Sequence, residues 1–118
     1  MGLEKHQELR DRTKQFALRI LRMSSKLPNT RQANVINNQI LRSATGMAAN
    51  YRAVGRARSK AEFAAKIGVV LEEADESLFW LELLKESGIV KEEKLRDLLN
   101  EANQLVAIFS ASRRTARE

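Results

Sequence analysis

Apolar residues recur along this chain at steps of three and four, in four blocks separated by short breaks, which is the period of helices with one buried face. In the first block Leu9, Phe16, Ile20, Met23 and Leu27 share a stripe that predicts a helix over about 9–27, its start at Leu3 or Leu9, closed by Pro28. Asn29 and Thr30 are both competent caps, and after them Ile36, Ile40, Ala44, Met47, Tyr51 and Val54 predict a second helix over 31–54. Its middle carries Ser43, Ala44, Gly46, Ala48 and Ala49, small enough to let another helix backbone approach closely. Gly55 ends it. Ser59 and Glu62 then have the spacing of a capping box, opening a third helix over 60–87 with Phe63, Ile67, Val70, Ala74, Leu78, Leu81 and Leu84 inward and Gly88 as its stop. The last block, Leu95, Leu98, Ala102, Leu105 and Phe109, predicts a fourth helix over 91–112. Arg113, Arg114 and Arg117 follow in a basic, frayed tail over 113–118.

Short connections near residues 28, 56 and 89 join these blocks, so the expected fold is all-α, a single domain over 1–118. The simplest arrangement is an up-down-up-down antiparallel four-helix bundle with neighbouring axes about 20° apart. Phe79, Trp80 and Leu83 widen the apolar face of the third helix beyond what one bundle buries, and are expected at an interface between copies of the chain.

Composition narrows the chemistry. Among 118 residues there are five Gly, one Pro and no Cys, which favours helix and excludes a disulfide framework, a thiolate zinc site and a cysteine nucleophile. Absence of Cys fits a reducing compartment, and the cytoplasm is the expected location. The segment from Met1 to Arg12 is charged, and no run approaches the roughly 18 apolar residues of a membrane span, so neither secretion nor membrane insertion is expected.

The net charge of +6 is modest, but its distribution is uneven. Residues 12–61 contain no Asp or Glu and carry Arg12, Lys14, Arg19, Arg22, Lys26, Arg31, Arg42, Arg52, Arg56, Arg58 and Lys60. Residues 62–101 reverse the balance, with Glu62, Glu72, Glu73, Asp75, Glu76, Glu82, Glu86, Glu92, Glu93, Asp97 and Glu101. In the expected bundle the first two helices form a basic half opposite an acidic half. The basic half meets either an anionic partner or an acidic surface, in the same bundle or on a neighbouring copy. Arg outnumbers Lys there, and its planar fork matches phosphate oxygens, so Arg19, Arg22, Arg42, Arg52, Arg56, Arg58 and Lys60 are the candidate contacts to an RNA or DNA backbone. One Tyr in that half gives little for stacking on single-stranded bases, which leaves backbone and shape as the basis of recognition.

Catalytic parts are missing. His6, the one histidine, lies in a charged segment with no Cys and no fixed acidic partner, and is expected to be solvent-exposed or disordered rather than a metal ligand or base. Glu72, Glu73 and Glu76 invite comparison with di-iron carboxylate bundles, which need a Glu-x-x-His from each of two helices, and that histidine is absent. Glu72 and Glu76 stand one turn apart, and an Arg or Lys on a facing helix is the expected remedy for their repulsion. No phosphate-cradling Gly-rich loop and no Ser-His-Asp set is present, so no catalytic residue, metal or cofactor is expected.

The stretch Leu41-Arg-Ser-Ala-Thr-Gly-Met-Ala-Ala-Asn-Tyr-Arg-Ala, with Arg58-Ser-Lys-Ala-Glu-Phe and Leu71-Glu-Glu-Ala-Asp-Glu-Ser-Leu-Phe-Trp-Leu-Glu-Leu-Leu, resembles the bacterial "four helix bundle protein" family over roughly residues 13 to 110. That family includes proteins encoded in intervening sequences of 23S ribosomal RNA genes, and the accessory variability proteins of diversity-generating retroelements are similar. The resemblance implies a homopentameric ring with a basic surface and, for the retroelement branch, binding to RNA or DNA and to a reverse transcriptase. Asn50 falls on the family's recurrent Asn, and Ser59, Glu62 and Phe63 on its Ser-x-x-Glu-Phe helix start, both of which look structural. Where the commoner pattern has Glu-Gly, this chain has Ala53 and Val54 after Tyr51 and Arg52, which makes the corner more positive and sets the chain in a distinct subgroup. The expectation is therefore a non-catalytic, homo-oligomeric nucleic-acid-binding or adaptor protein, with a protein-interaction scaffold as the alternative and an enzyme as a distant third.

Overall fold

The computed structural model describes residues 2–118 and contains, among them, four helices and no strand. They are α1 (Leu3–Ser24), α2 (Arg31–Val54), α3 (Lys60–Glu86) and α4 (Glu92–Arg117), packed into a rod of 45 × 22 × 20 Å. α2 and α3 are the central pair, α1 lies on α2 and α4 on α3, and α1 and α4 meet only along a thin seam. The fold is the antiparallel four-helix bundle that the apolar spacing predicts.

The helix ends follow from local chemistry. Thr30 caps α2 by accepting the Ala33 amide, and Ser59 caps α3 by accepting the Glu62 amide at 3.0 Å. Glu62 does not complete the box. Its carboxylate points outward to Arg58 at 3.4 Å and Lys66 at 4.0 Å, where two cations compete for it. Gly88 takes a φ of +77°, which a glycine adopts without strain, and its amide reaches back to the Lys85 carbonyl to close α3.

Two limits differ from the spacing-based reading. α1, which begins at Leu3, the earlier of the two expected starts, ends at Ser24, short of Leu27, because a tight turn from Ser25 to Leu27 precedes Pro28. α4 continues to Arg117, so residues 113–117 are helical rather than a frayed tail. Arg113 there lies over buried Gly68 of α3, its Nε at ordinary contact distance from where a Cβ would stand.

The core takes the predicted stripes almost unchanged. Leu9, Phe16 and Ile20 of α1, all six seam residues of α2, Ile67, Val70, Ala74, Leu81 and Leu84 of α3, and the five residues of α4 are buried, while Met23, Leu27, Phe63 and Leu78 pack at its margins. Three hydroxyls share this interior. Thr13 donates to the Leu9 carbonyl, and Ser77 is within hydrogen-bonding distance of Ser43 at 2.9 Å, tying α3 to α2 where the small residues cluster. Gly46 in that cluster makes room for a side chain rather than a backbone, since a Cβ there would collide with the Glu73 carboxylate.

Phe109 is fully buried, with its ring 5.3 Å from that of Tyr51. Phe109→Ala should lower unfolding stability by about 3–5 kcal/mol, read as a fall in the urea midpoint at unchanged helical content of the folded baseline.

Candidate nucleic-acid interface

An antiparallel bundle alternates its ends, and this determines where the charges gather. The start of α1, the end of α2, the start of α3 and the end of α4 share one end of the rod. A hollow of about 320 Å³ joins Leu3 and His6 to Val54, Ala57 and Phe63, and another of about 600 Å³ joins Lys5 and Lys60 to Ser112 and Thr115. Arg52, Arg56, Arg58 and Lys60 therefore stand at the same end as Arg113, Arg114 and Arg117. The sequence places those two groups more than fifty residues apart.

The junction carrying the first group is built tightly. After Val54 the Arg56 and Ala57 amides bond back to the Ala53 and Val54 carbonyls, so the chain turns at once and Ser59 can cap the next helix. His6 supports this turn from beneath. It is half-buried, not exposed or disordered as its charged surroundings suggest. Its Nδ1 lies 3.2 Å from the Tyr51 hydroxyl, and its Nε2 would be only 2.7 Å from a Cβ on Gly55. Partial burial, followed by the nearby positive charge of Arg10, holds the His6 pKa below the usual histidine value, while burial pushes the Tyr51 hydroxyl up to about 12. Both groups are neutral near pH 7, so the ring contact carries no charge into the core edge.

Pairing within the chain removes few of the cations. Arg12 of α1 makes a two-pronged contact with Glu101 of α4, Nε to Oε2 at 3.0 Å and Nη2 to Oε1 at 2.7 Å, and reaches Gln104 as well. The hydrogen bond to Glu101 is the main cause of the raised Arg12 pKa. This clamp bridges the thin seam between α1 and α4. At the arginine-rich end the pairs are exposed ones, Arg58 with Glu62 and Lys5 with Glu8, which hold little energy in water.

Not all the candidate residues gather there. Arg42 sits midway along α2, where its charge opposes the rise that burial and Glu76 impose on the Glu73 pKa. Glu72 and Glu76 are exposed and have no ion-pair partner among the described residues, so the facing-helix cation expected for them is not supplied; only Glu73 between them turns toward α2. Arg19 and Arg22 lie at the far end, in a groove with Lys26, Lys91 and Lys94. Along the rod, the charges of the expected basic and acidic halves are further divided between an arginine-rich end and a second, mixed end. Arg113, Arg114, Arg117, Lys91 and Lys94 were missed as members of these groups. Reading which helix ends coincide in an up-down bundle is the signal that locates them. Of the three residues expected at an interface, Phe79 is half exposed on the outward side of α3 and in edge contact with Trp80 at 4.9 Å, whereas Trp80 and Leu83 are partly buried against the bundle's own core. Among the described residues no cluster of His, Asp or Glu has the makings of a metal site, and no helix is long and apolar enough to cross a membrane.

Comparison with known proteins gives a family and a relative of the same shape. The family model described as "23S rRNA-intervening sequence protein" matches residues 5–111. The crystal structure of a protein with unknown function from the S23 ribosomal protein family of Bacteroides thetaiotaomicron is similar at 31% sequence identity and a TM-score of 0.83, over 93% of this chain and 98% of that one. No curated protein matches.

The His6 contact carries a pH signature. Because its folded pKa lies below the unfolded value, the unfolded chain binds the proton more readily. Stability present at neutral pH is therefore lost as pH falls through the usual histidine range. The urea midpoint should drop between about pH 7.5 and about 5.5 in the parent protein, and drop less in His6→Asn.

Proposed function

The chain belongs to the 23S rRNA-intervening sequence protein family, and on that footing we propose that it is a non-catalytic, homo-oligomeric protein that grips the backbone of RNA or DNA with the arginine-rich end of its bundle. The observation that carries this reading is the convergence of Arg52, Arg56, Arg58 and Lys60 with the arginines that end α4, at a place where the chain's own acids pair with few of them. A cluster of planar guanidinium groups with open coordination suits phosphate oxygens. The hollows among them are lined by Phe63, Ser112 and Thr115 rather than by exposed aromatic rings on which bases would stack, which favours backbone over base recognition. The non-catalytic part rests on His6, whose ring is engaged with Tyr51 and Gly55 and faces no carboxylate. The oligomeric part rests on the half-exposed Phe79 beside Trp80.

Light scattering with a short structured RNA at low and high salt tests this. The expected result is an oligomer that takes up RNA at low salt and releases it as salt rises. Arg52→Glu, Arg56→Glu and Arg58→Glu together should weaken affinity by roughly tenfold or more and flatten its salt dependence. An oligomer that takes up no RNA or DNA at any salt concentration would overturn the nucleic-acid reading and favour a scaffold for acidic proteins.

A further inference from the structure

The groove at the far end and the outer face of α3 are opposite in charge, and each has apolar residues among its charged ones. Arg19 and Arg22 of α1, with Lys26 in the turn after it, face Lys94 of α4 and Lys91 just before it across a groove of about 680 Å³, with Asp97 as its one acid and Met23, Ile89, Val90 and Leu98 among the residues lining it. None of the five cations has a carboxylate partner among the described residues. A phosphate backbone would leave that apolar lining uncovered. An occupant with acidic side chains around an apolar knob would cover it and neutralise the rim.

The chain itself carries such a surface. On α3, Glu72, Asp75, Glu76, Glu82 and Glu86 fall within about a third of a turn on the side opposite the buried stripe, given 100° per residue. All five are exposed and unpaired among the described residues, and Phe79 stands half exposed in their midst. Five like charges along one ridge repel one another, and near its end Lys85 and Arg96 share a hollow with Glu82 and Glu86 without pairing to either.

We propose that the acidic, Phe79-centred ridge of α3 docks into the α1–α4 groove of a second copy of this chain. α1 and α3 do not touch within the bundle and lie diagonally across it, so a chain's own ridge faces away from its own groove. The contact is therefore heterologous, each copy offering its ridge to one neighbour and its groove to the other, a geometry that propagates until it closes a ring. Because ridge and groove occupy the same end of the rod, near the α3–α4 connection, the docked copies leave the opposite, arginine-rich ends free. This inference rests on the homo-oligomeric part of the reading above and assigns its interface.

A charge exchange tests it. Glu76→Lys with Glu82→Lys on the ridge, and separately Arg22→Glu with Lys94→Glu in the groove, alter exposed side chains and should each reduce the light-scattering mass to that of the monomer at helical content equal to the parent's. All four substitutions in one chain should restore the oligomer, because ridge and groove are then complementary with reversed sign. Phe79→Ser, which removes an exposed ring, is a second probe and should raise the dissociation constant at least tenfold if either charge variant folds poorly. A parent protein that is monomeric at all concentrations would overturn both the homo-oligomeric reading and this interface. A parent oligomer whose mass survives the ridge pair, the groove pair and Phe79→Ser would overturn the interface alone.

Discussion

Everything about the charge distribution of this molecule depends on one constraint: the connections over 25–30, 55–59 and 87–91 are too short to let successive helices run in the same direction. Each helix must bury its apolar stripe against its neighbour while reversing, so alternate helix ends coincide. Packing then determines which pairs are intimate. α3 lies between α2 and α4, and the small residues of α2 allow the Ser43 and Ser77 hydroxyls to meet inside the core and the Glu73 carboxylate to lie over Gly46. The α1–α4 side has less apolar contact, and there a two-pronged ion pair, Arg12 with Glu101, bridges the seam. A partly buried pair of that kind fixes the pairing of two helices more than it adds stability, since the attraction offsets the loss of hydration.

The fold was legible in the sequence because helix periodicity and capping act locally. Ile36 through Val54 and Leu95 through Phe109 are buried where the three- and four-residue steps predicted, and Ser59 caps where its spacing to Glu62 predicted. The misses share a physical cause. Thr13 and Ser77 lie outside the predicted stripes, yet are buried because each hydroxyl finds a partner within reach, a carbonyl one turn back or the facing Ser43 hydroxyl. His6 was misread because its partners, Tyr51 and Gly55, lie on another helix and loop. Arg113 was assigned to a frayed tail because the surface it packs on, at Gly68, lies on another helix.

The candidate site was legible only in part for the same reason. Counting charges along the chain correctly identified an acid-free half, yet Arg19 and Arg22 lie far from Arg52 and Arg56, because α1 and α2 run antiparallel and those residues sit near opposite ends. The acidic half divides likewise, with its arginine tail returned to the basic end by α4. A one-dimensional charge count becomes a surface only after the reversal of each helix is applied.

The spacing of acids along the two outer helices then bears on whether the arginine-rich end is available. On α3 the next carboxylate after Glu62 is Glu72, and from Lys60 to Glu72 the rise is about 18 Å at 1.5 Å per residue. On α4 the last carboxylate before the arginines is Glu101, twelve residues before Arg113 and therefore again about 18 Å away, and it is engaged with Arg12. Both separations exceed the screening length of roughly 8–10 Å at physiological salt, so these acids attenuate little of the field at that end. Glu4, Glu8 and Asp11 of α1 and Glu118 after α4 lie closer, and of these Glu8 faces Lys5. The chain contains carboxylates enough to neutralise its own arginines, and the helix lengths keep most of them out of range. The cationic surplus at that end is consequently a property of topology as much as of composition.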